Sequence, residues 1–252
     1  MKSHGIEQKN CRPVWGILGG MGPLASSEFV NTIYEECSSR PEQERPIVVL
    51  LSDPTMPDRS ESFLAGTEHV LLERLTERVD QLACFGTTKI IICCVTIHPL
   101  IERLAPALQE KIISLVDVAM EHVLLSNRKY LLVCTEGTRH TRIFQNHRLW
   151  EQTRDRIVLP DQEDQHRIHE LIYKIKTSKD AVRQIEPLDA LLEKYAVDSY
   201  IVGCTEIHML AKERQRFSGP RQAPLCIDPL AEIATMICNF REMASEQREL
   251  IG

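Results

Sequence analysis

The chain has 252 residues, of which 43% are hydrophobic and 26% are charged, and its formal net charge is −6. This composition is typical of a globular protein with one large domain or two small ones, and the acidic excess argues against a general nucleic-acid binder. All apolar runs are shorter than the roughly 18 residues that a membrane span needs. Residues 1–10 are polar and carry no apolar signal core, so we expect a cytoplasmic protein that binds neither nucleic acid nor membrane.

The cysteines indicate free thiols rather than a disulfide framework. There are nine of them, an odd number, in a chain that is neither short nor marked for secretion. We therefore expect reduced thiols, most of them inert in the core. The sequence has no Cys-x-x-Cys pair and no His-Glu-x-x-His pattern, so nothing in it predicts a metal site.

Strand and helix patterns alternate through the first half of the chain. An apolar strand at 14–19 runs into the glycine turn Gly19-Gly20-Met21-Gly22, and Pro23 is suited to begin a helix that extends to about residue 38. The further predicted elements are a strand at 46–52 buried on both faces, an amphipathic helix at 67–85, a strand at 89–94, a helix at 99–110, a strand at 112–116 and a helix at 118–125.

The second half begins in the same way, with a strand at 130–134 that runs into the turn Thr135-Glu136-Gly137-Thr138. The other predicted elements are helices at 141–151, 161–177 and 181–195, strands at 199–203 and 225–227, and a final helix at 229–249. This alternation predicts an α/β fold of two pseudo-symmetric lobes, each a mostly parallel sheet flanked by helices. We place the lobes at 1–125 and 126–252, with the last helix able to pack on the first lobe and a site in the cleft between them.

Two short segments, 92–100 and 202–210, are variants of one another. Each places a cysteine after an apolar strand and before an expected helix start, where backbone N–H groups favour a thiolate. Two such thiols facing one carbon could remove a proton from one face and return one to the other. The matched pairs are Cys94 with Cys204, Ile97 with Ile207, His98 with His208, and Leu100 with Leu210.

Four motifs together resemble the aspartate/glutamate racemase superfamily, and within it the stand-alone aspartate racemases. The resemblance implies a cofactor-independent and metal-independent amino-acid racemase, often a homodimer, that interconverts L- and D-aspartate with Cys94 and Cys204 as its acid/base pair. The motifs are Gly16-Ile17-Leu18-Gly19-Gly20-Met21-Gly22-Pro23, Pro57-Asp58-Arg59, Cys94-x-Thr96-x-His98 and Gly203-Cys204-Thr205-Glu206.

The resemblance also implies residues that bind the substrate. Arg59 suits a carboxylate because a guanidinium can donate two parallel hydrogen bonds, and we expect it at the mouth of the cleft. Lys176 matches a family lysine near the second carboxylate, and Thr138 matches a position beside the substrate. The ordinary alternatives are a solvated loop arginine, an exposed helix lysine and a turn residue.

Glu206 stands where aspartate racemases carry glutamate and glutamate racemases usually carry histidine, which favours aspartate. Thr96 has two equal interpretations, a hydrogen bond to a substrate carboxylate or a cap on the next helix. We interpret Cys93 as a core residue, because its side chain points to the other face of the strand. The remaining predicted substrate contacts are Met21, Gly22 and Thr205.

His98 and His208 are interpreted as packing or capping groups. Two positions depart from the family pattern: Val95 stands where asparagine is usual, and His208 stands where proline is usual. Glutamate or another acidic amino acid therefore remains an alternative substrate. A maleate-isomerase-like use of the same cysteines, and a binding protein without turnover, also remain open.

A nucleotide-binding oxidoreductase is the main rival hypothesis. Gly20-x-Gly22-x-x-Ala25 satisfies a dinucleotide fingerprint, and Asp53 ends the second strand as a ribose-binding acid would. Pro23 inside the turn weakens this interpretation, and the fingerprint leaves the repeated cysteine motif unexplained.

Overall fold

The computed structural model describes residues 12–177, 181–218 and 225–249. The elements of the first half are β1 (Val14–Gly19), α1 (Pro23–Glu36), β2 (Ile47–Ser52), α2 (Arg59–Leu64), α3 (Glu68–Cys84), β3 (Lys89–Ile92), a 3-10 segment (Val95–Arg103), α4 (Pro106–Gln109), β4 (Ile112–Ile113) and α5 (Leu115–Leu125). The elements of the second half are β5 (Tyr130–Cys134), α6 (Glu136–Thr141), α7 (Trp150–Thr153), β6 (Ile157–Val158), α8 (Gln162–Thr177), α9 (Ile185–Lys194), β7 (Ser199–Gly203), α10 (Thr205–Ser218), β8 (Leu225–Ile227) and α11 (Pro229–Glu249). Short 3-10 turns lie at Glu42–Glu44, Arg154–Arg156 and Ala181–Gln184.

The strands form two parallel four-stranded sheets with the same strand order, β2-β1-β3-β4 and β6-β5-β7-β8. We call the part built on β1–β4 the first lobe and the part built on β5–β8 the second lobe. The predicted α/β architecture of two pseudo-symmetric lobes is confirmed. The boundary between residues 125 and 126 stays a prediction.

Equivalent strands carry the two cysteines of the repeat. Cys94 follows β3 and Cys204 follows β7, and each of these strands is third in its sheet. The carboxyl ends of parallel strands share one edge of a sheet, where ligands bind in such folds. The sequence repeat is therefore a repeat of position in the fold.

Burial along the strands follows their place in each sheet. The inner strands β5 and β7 are buried throughout, as expected where helices cover both faces. The prediction that 46–52 is buried on both faces is wrong, because β2 is an edge strand whose residues are either exposed or half-buried.

The amphipathic helix predicted over 67–85 is confirmed as α3. Its apolar stripe is fully buried against the first sheet, and Gly86 follows with φ +76, the left-handed conformation that ends helices. The residues of the stripe are Leu71, Leu75, Val79 and Leu82.

Other helix boundaries differ from the predictions for local reasons. The region 99–110 is divided between the 3-10 segment and α4 because Pro99 and Pro106 lack the N–H of a continuous α-helix. The helix predicted at 141–151 is wrong, since α6 lies earlier and ends at Arg142 with φ 53. The strand β6 and the helix α2 were not predicted.

The final helix α11 packs against α1 and α5 of the first lobe. Trp15 of β1 meets Phe240 of α11 edge to face, with ring centroids 5.4 Å apart. Within the described ranges, no helix has the length and apolar character needed to span a membrane.

Asp53 stabilises the corner after β2. Its Oδ1 accepts hydrogen bonds from the N–H and the hydroxyl of Thr55, at 2.9 and 2.6 Å, and its Oδ2 accepts from Arg78 at 2.7 Å and Arg74 at 3.1 Å. The Thr55 hydroxyl and then Arg78 lower the pKa of Asp53 to about 2. The backbone of Gly20 lies so close to that of Asp53 that a side chain there would clash. Both carboxylate oxygens are thus used within the fold, which removes the acidic residue from the nucleotide-binding hypothesis.

Replacing Asp53 with asparagine is expected to lower the free energy of unfolding by about 1–2 kcal/mol at neutral pH, less than the full pKa shift implies, because water reaches this corner. The folded pKa of about 2 lies below the unfolded value of about 3.9. The stabilisation is therefore complete above about pH 4 and is lost as the pH falls towards 2. Urea unfolding of both forms between pH 7 and 3 measures this difference.

Asp198→Asn is the control, because Asp198 is an exposed carboxylate that pairs with Arg128 at the surface. We expect little loss of stability from it. Equal losses from the two substitutions would contradict the role given to Asp53.

Candidate active site

Cys94 lies where β3 ends and the 3-10 segment begins. It is the N-cap residue, with extended backbone angles, and only 6% of it is exposed. The preceding Cys93 points away from it and packs in the core beside Ile17 and Ile91, which confirms its interpretation as a core residue. Burial raises the pKa of the Cys93 thiol, so it stays protonated and inert.

Cys204 occupies the equivalent place between β7 and α10, and it is 5% exposed. Its Sγ donates a hydrogen bond to Oε2 of Glu206, with the two atoms 2.9 Å apart. Burial and then the negative charge of Glu206 raise the pKa of Cys204 well above its ordinary value, while Lys176 acts in the opposite direction. Cys94 adds a smaller contribution to the same rise, so the two thiols lie within electrostatic reach of one another.

Arg59 is the first residue of α2, which begins because the Asp58 side chain accepts a hydrogen bond from the Glu61 N–H at 3.0 Å. Its guanidinium donates to the carbonyls of Met21 at 2.8 Å and Pro57 at 3.0 Å. Arg59 is only 8% exposed, so the expectation of a residue at the mouth of the cleft is wrong. The Asp58 cap on α2 and the hydrogen bond to the Met21 carbonyl hold the Arg59 side chain below the surface.

The charge of Arg59 is directed at Cys94. Burial disfavours the guanidinium ion, but the Cys94 thiol and Asp58 outweigh burial and raise the pKa of Arg59. A permanent cation therefore stands beside the first thiol.

Lys176 lies on α8 and is the cation that interacts with the second thiol, Cys204. Its Nζ is 4.2 Å from the centre of the Tyr173 ring. Burial disfavours its ammonium group, but Glu206 and Cys204 outweigh burial and raise the pKa of Lys176. The neighbouring Lys174 is exposed, which shows that only one of the two lysines faces the site.

Glu206 is a buried carboxylate, 2% exposed, in the first turn of α10. Oε2 accepts from Cys204, whereas Oε1 has no hydrogen-bond partner among the residues that the structure describes. Oε1 lies against the backbone of Gly22, where any side chain would overlap it. The glycine turn after β1 therefore leaves room for this carboxylate.

Hydrogen bonds among three threonine hydroxyls join the two lobes. Thr96 lies 2.8 Å from the Thr138 hydroxyl and 3.1 Å from that of Thr135. Thr135 also caps α6 by accepting from the Thr138 N–H at 3.2 Å. Among the residues that the structure describes, Thr96 makes no capping bond, so that interpretation of it is wrong.

The two histidines of the repeat are structural. His98 Nδ1 lies 2.8 Å from the Cys94 carbonyl, the Leu115 N–H donates to its Nε2 at 3.0 Å, and burial lowers its pKa to about 4. His208 is fully buried between Asp228, at 2.6 Å from Nδ1, and Thr32, at 2.9 Å from Nε2. Their interpretation as packing and capping groups is confirmed.

The remaining predicted residues also lie near the thiols. Met21 supplies the carbonyl that holds Arg59, and the buried Thr205 hydroxyl lies 3.4 Å from both the Cys93 carbonyl and Oε2 of Glu206. Val95, the departure from the family pattern after Cys94, packs in the core.

Sequence reasoning missed Asp58, Thr135 and Tyr173. Asp58 was detectable, because Asp58 and Glu61 have the spacing of a capping box before a helix. Tyr173 has no local signal, since the hydroxyl contacts Asp58 at 2.7 Å across a separation of 115 residues.

The site combines two buried thiols, each beside a cation, with one free carboxylate oxygen and a group of hydroxyls. Residues 18–237 match the model of the Asp/Glu/Hydantoin racemase family, and the chain belongs to that family. The predicted membership of the racemases is thus confirmed.

Solved structures of racemases share the fold. The chain is similar to the aspartate racemase of Picrophilus torridus, with 22% identity, a TM-score of 0.73, and coverage of 90% of this chain and 94% of that one. An aspartate racemase homologue from Pyrococcus horikoshii OT3 has 19% identity and a TM-score of 0.62, with coverage of 93% and 100%. A glutamate racemase from Campylobacter jejuni subsp. jejuni has 17% identity and a TM-score of 0.56, with coverage of 88% and 84%. At these identities the likeness shows the fold and leaves the substrate open.

Proposed function

We propose that this racemase interconverts L- and D-aspartate by moving protons between Cα and two thiols, those of Cys94 and Cys204. The observation that carries the proposal is the pair of buried thiols at equivalent strand ends, each with its own cation, the buried Arg59 and the half-buried Lys176. Two acid/base groups on opposite sides of one carbon are what inversion at that carbon requires.

The charges of the site complement an α-amino diacid. Arg59 and Lys176 offer two positive groups for two carboxylates. Oε1 of Glu206, which lacks a hydrogen-bond partner in the described part of the chain, offers an acceptor for the substrate ammonium group. A buried acceptor of this kind discriminates strongly against ligands that cannot satisfy it.

The two thiols have different charged neighbours. Cys204 is a thiol, because burial and Glu206 raise its pKa, and it is the group that donates a proton. Cys94 lies beside the permanent charge of Arg59, and we assign it the role of accepting the Cα proton. After one turnover Cys94 carries the proton and Cys204 has lost its own, so Lys176 stabilises the new anion and the enzyme is ready for the reverse direction.

Burial of both thiols supports this mechanism by excluding water. A carbanion at Cα is protected from solvent protons, and the fixed charges act more strongly than they would in water. We propose that the protein acts as a cytoplasmic homodimer without an organic cofactor or a metal, and light scattering of the purified protein tests the dimer.

The substrate assignment predicts that kcat/KM for aspartate exceeds that for glutamate by at least about 10-fold, because one additional methylene in a closed site costs that factor or more. The ratio of kcat/KM values is measured by following the circular dichroism of the amino acid as it racemises. The enzyme is dialysed against EDTA and assayed without pyridoxal phosphate. Glutamate or another acidic amino acid is the alternative substrate. Equal values, or a preference for glutamate, would contradict the aspartate assignment while leaving the racemase family intact.

A further inference from the structure

Tyr173 connects the two lobes beside the candidate site. Its hydroxyl donates to Oδ2 of Asp58 with the oxygens 2.7 Å apart, and Oδ1 of Asp58 caps the helix that Arg59 begins. Burial and this hydrogen bond raise the pKa of Tyr173 to about 12, so the phenol keeps its proton and remains a donor at neutral pH. The bond therefore ties α8 to the start of α2.

The same side chain also contacts the second cation. The Lys176 ammonium lies 4.2 Å from the Tyr173 ring centre, in cation–π geometry, and the His169 ring lies 4.4 Å away between centroids. One end of Tyr173 is thus bonded to the residue that precedes Arg59, and its ring supports Lys176.

We propose that Tyr173 is a positioning residue that fixes the separation between Arg59 and Lys176 and thereby sets the length of diacid that the site accepts. This inference rests on the proposed function, in which each cation binds one carboxylate. Arg59 belongs to the first lobe and Lys176 to the second, so their separation depends on how the lobes meet. Tyr173 contacts Lys176 directly through its ring and reaches Arg59 through Asp58. Its bond to Asp58 joins the two lobes next to both cations.

Tyr173→Phe separates the two contacts, because phenylalanine keeps the ring under Lys176 and loses only the bond to Asp58. We expect KM for aspartate to rise about 10-fold, the worth of one charge-assisted hydrogen bond, while kcat at saturation changes by less than about 3-fold. The ratio of kcat/KM for aspartate to that for glutamate should fall by a similar factor. Tyr173→Leu, which removes both contacts, should lower the ratio further.

Non-reacting diacids give a readout that does not need turnover. Calorimetric titration with succinate and glutarate should show a preference for succinate in the wild type and a smaller preference in Tyr173→Phe. If the wild type fails to racemise aspartate but the preference for succinate is still smaller in Tyr173→Phe than in the wild type, the proposed function fails and the positioning role stands. If the wild type racemises aspartate and Tyr173→Phe keeps the wild-type preference for succinate, the positioning role is overturned.

Tyr195→Phe is a matched control. The Tyr195 hydroxyl donates to Oδ2 of Asp164, also at 2.7 Å, and its ring lies 5.6 Å from the ammonium of Lys194. Tyr195→Phe removes the same kind of bond away from the site, together with the bond that the hydroxyl accepts from the Asp161 N–H at 2.7 Å. It should therefore lower the urea midpoint at least as much as Tyr173→Phe does and leave diacid preference unchanged. An equal change of preference in both variants would overturn the proposal, as would a wild type that binds neither diacid.

Discussion

Replacing either Cys94 or Cys204 with serine is expected to lower the rate of aspartate racemisation by at least about 10³-fold. A serine hydroxyl is far less acidic than a thiol, so it can neither accept nor donate the Cα proton at a useful rate. The loss of kcat/KM must be equal in both directions, because the enantiomers have the same free energy and the equilibrium constant is one. Chiral chromatography of reactions started from each enantiomer measures the loss.

Cys84→Ser is the control for this pair, because Cys84 is a free, exposed thiol at the end of α3. It should keep wild-type activity. Unchanged far-ultraviolet circular dichroism would show that the active-site variants are folded. More than about a tenth of wild-type activity in either folded active-site variant would contradict a mechanism that needs both thiols, given the usual effect of losing an acid/base group.

Arg59→Lys is expected to lower kcat/KM for aspartate by about 10²–10³-fold even though the positive charge remains. The guanidinium donates to the Met21 carbonyl at 2.8 Å while its charge faces Cys94. A lysine ammonium cannot hold that carbonyl and also donate two parallel hydrogen bonds to a carboxylate. We expect both a higher KM and a lower kcat, since the substrate and Cys94 each lose a partner.

Arg148→Lys is the comparison, since Arg148 is an exposed arginine that pairs with Glu121 at 2.8 Å on the surface. Initial-rate kinetics should show little change in that variant. An Arg59→Lys variant with kinetics close to those of the wild type would show that the guanidinium does not bind the substrate.

Most of the fold could be predicted from the sequence because its signals are local or repeated. The apolar stripe of α3 predicts that helix directly, and the repeated cysteine segments predict that β3 and β7 occupy equivalent places in the two sheets. The exposure of β2 could not be predicted, because an edge strand and an inner strand can share one apolar pattern. The 3-10 segment after Cys94 depends on Pro99, whose effect on helix type is harder to predict than its presence.

The candidate site was predictable as a set of residue types and less so as an arrangement. The motifs identified both thiols and the cations Arg59 and Lys176. They could not show that Arg59 is buried, because its depth depends on a cap from Asp58 and a carbonyl from Met21. The bond from Tyr173 to Asp58 was also beyond prediction, since it arises only when α8 and α2 of different lobes meet.

Transfer of the Cα proton in D2O tests the two-thiol mechanism most directly. With L-aspartate and wild-type enzyme, the first D-aspartate formed should carry deuterium at Cα, while the unreacted L-aspartate keeps its protium, because different thiols remove and deliver the proton. In Cys94→Ser and Cys204→Ser, each surviving thiol should exchange the Cα proton of one enantiomer only, and of opposite enantiomers in the two variants. Product that retains the substrate protium, or racemisation that survives the loss of either thiol, would contradict the mechanism.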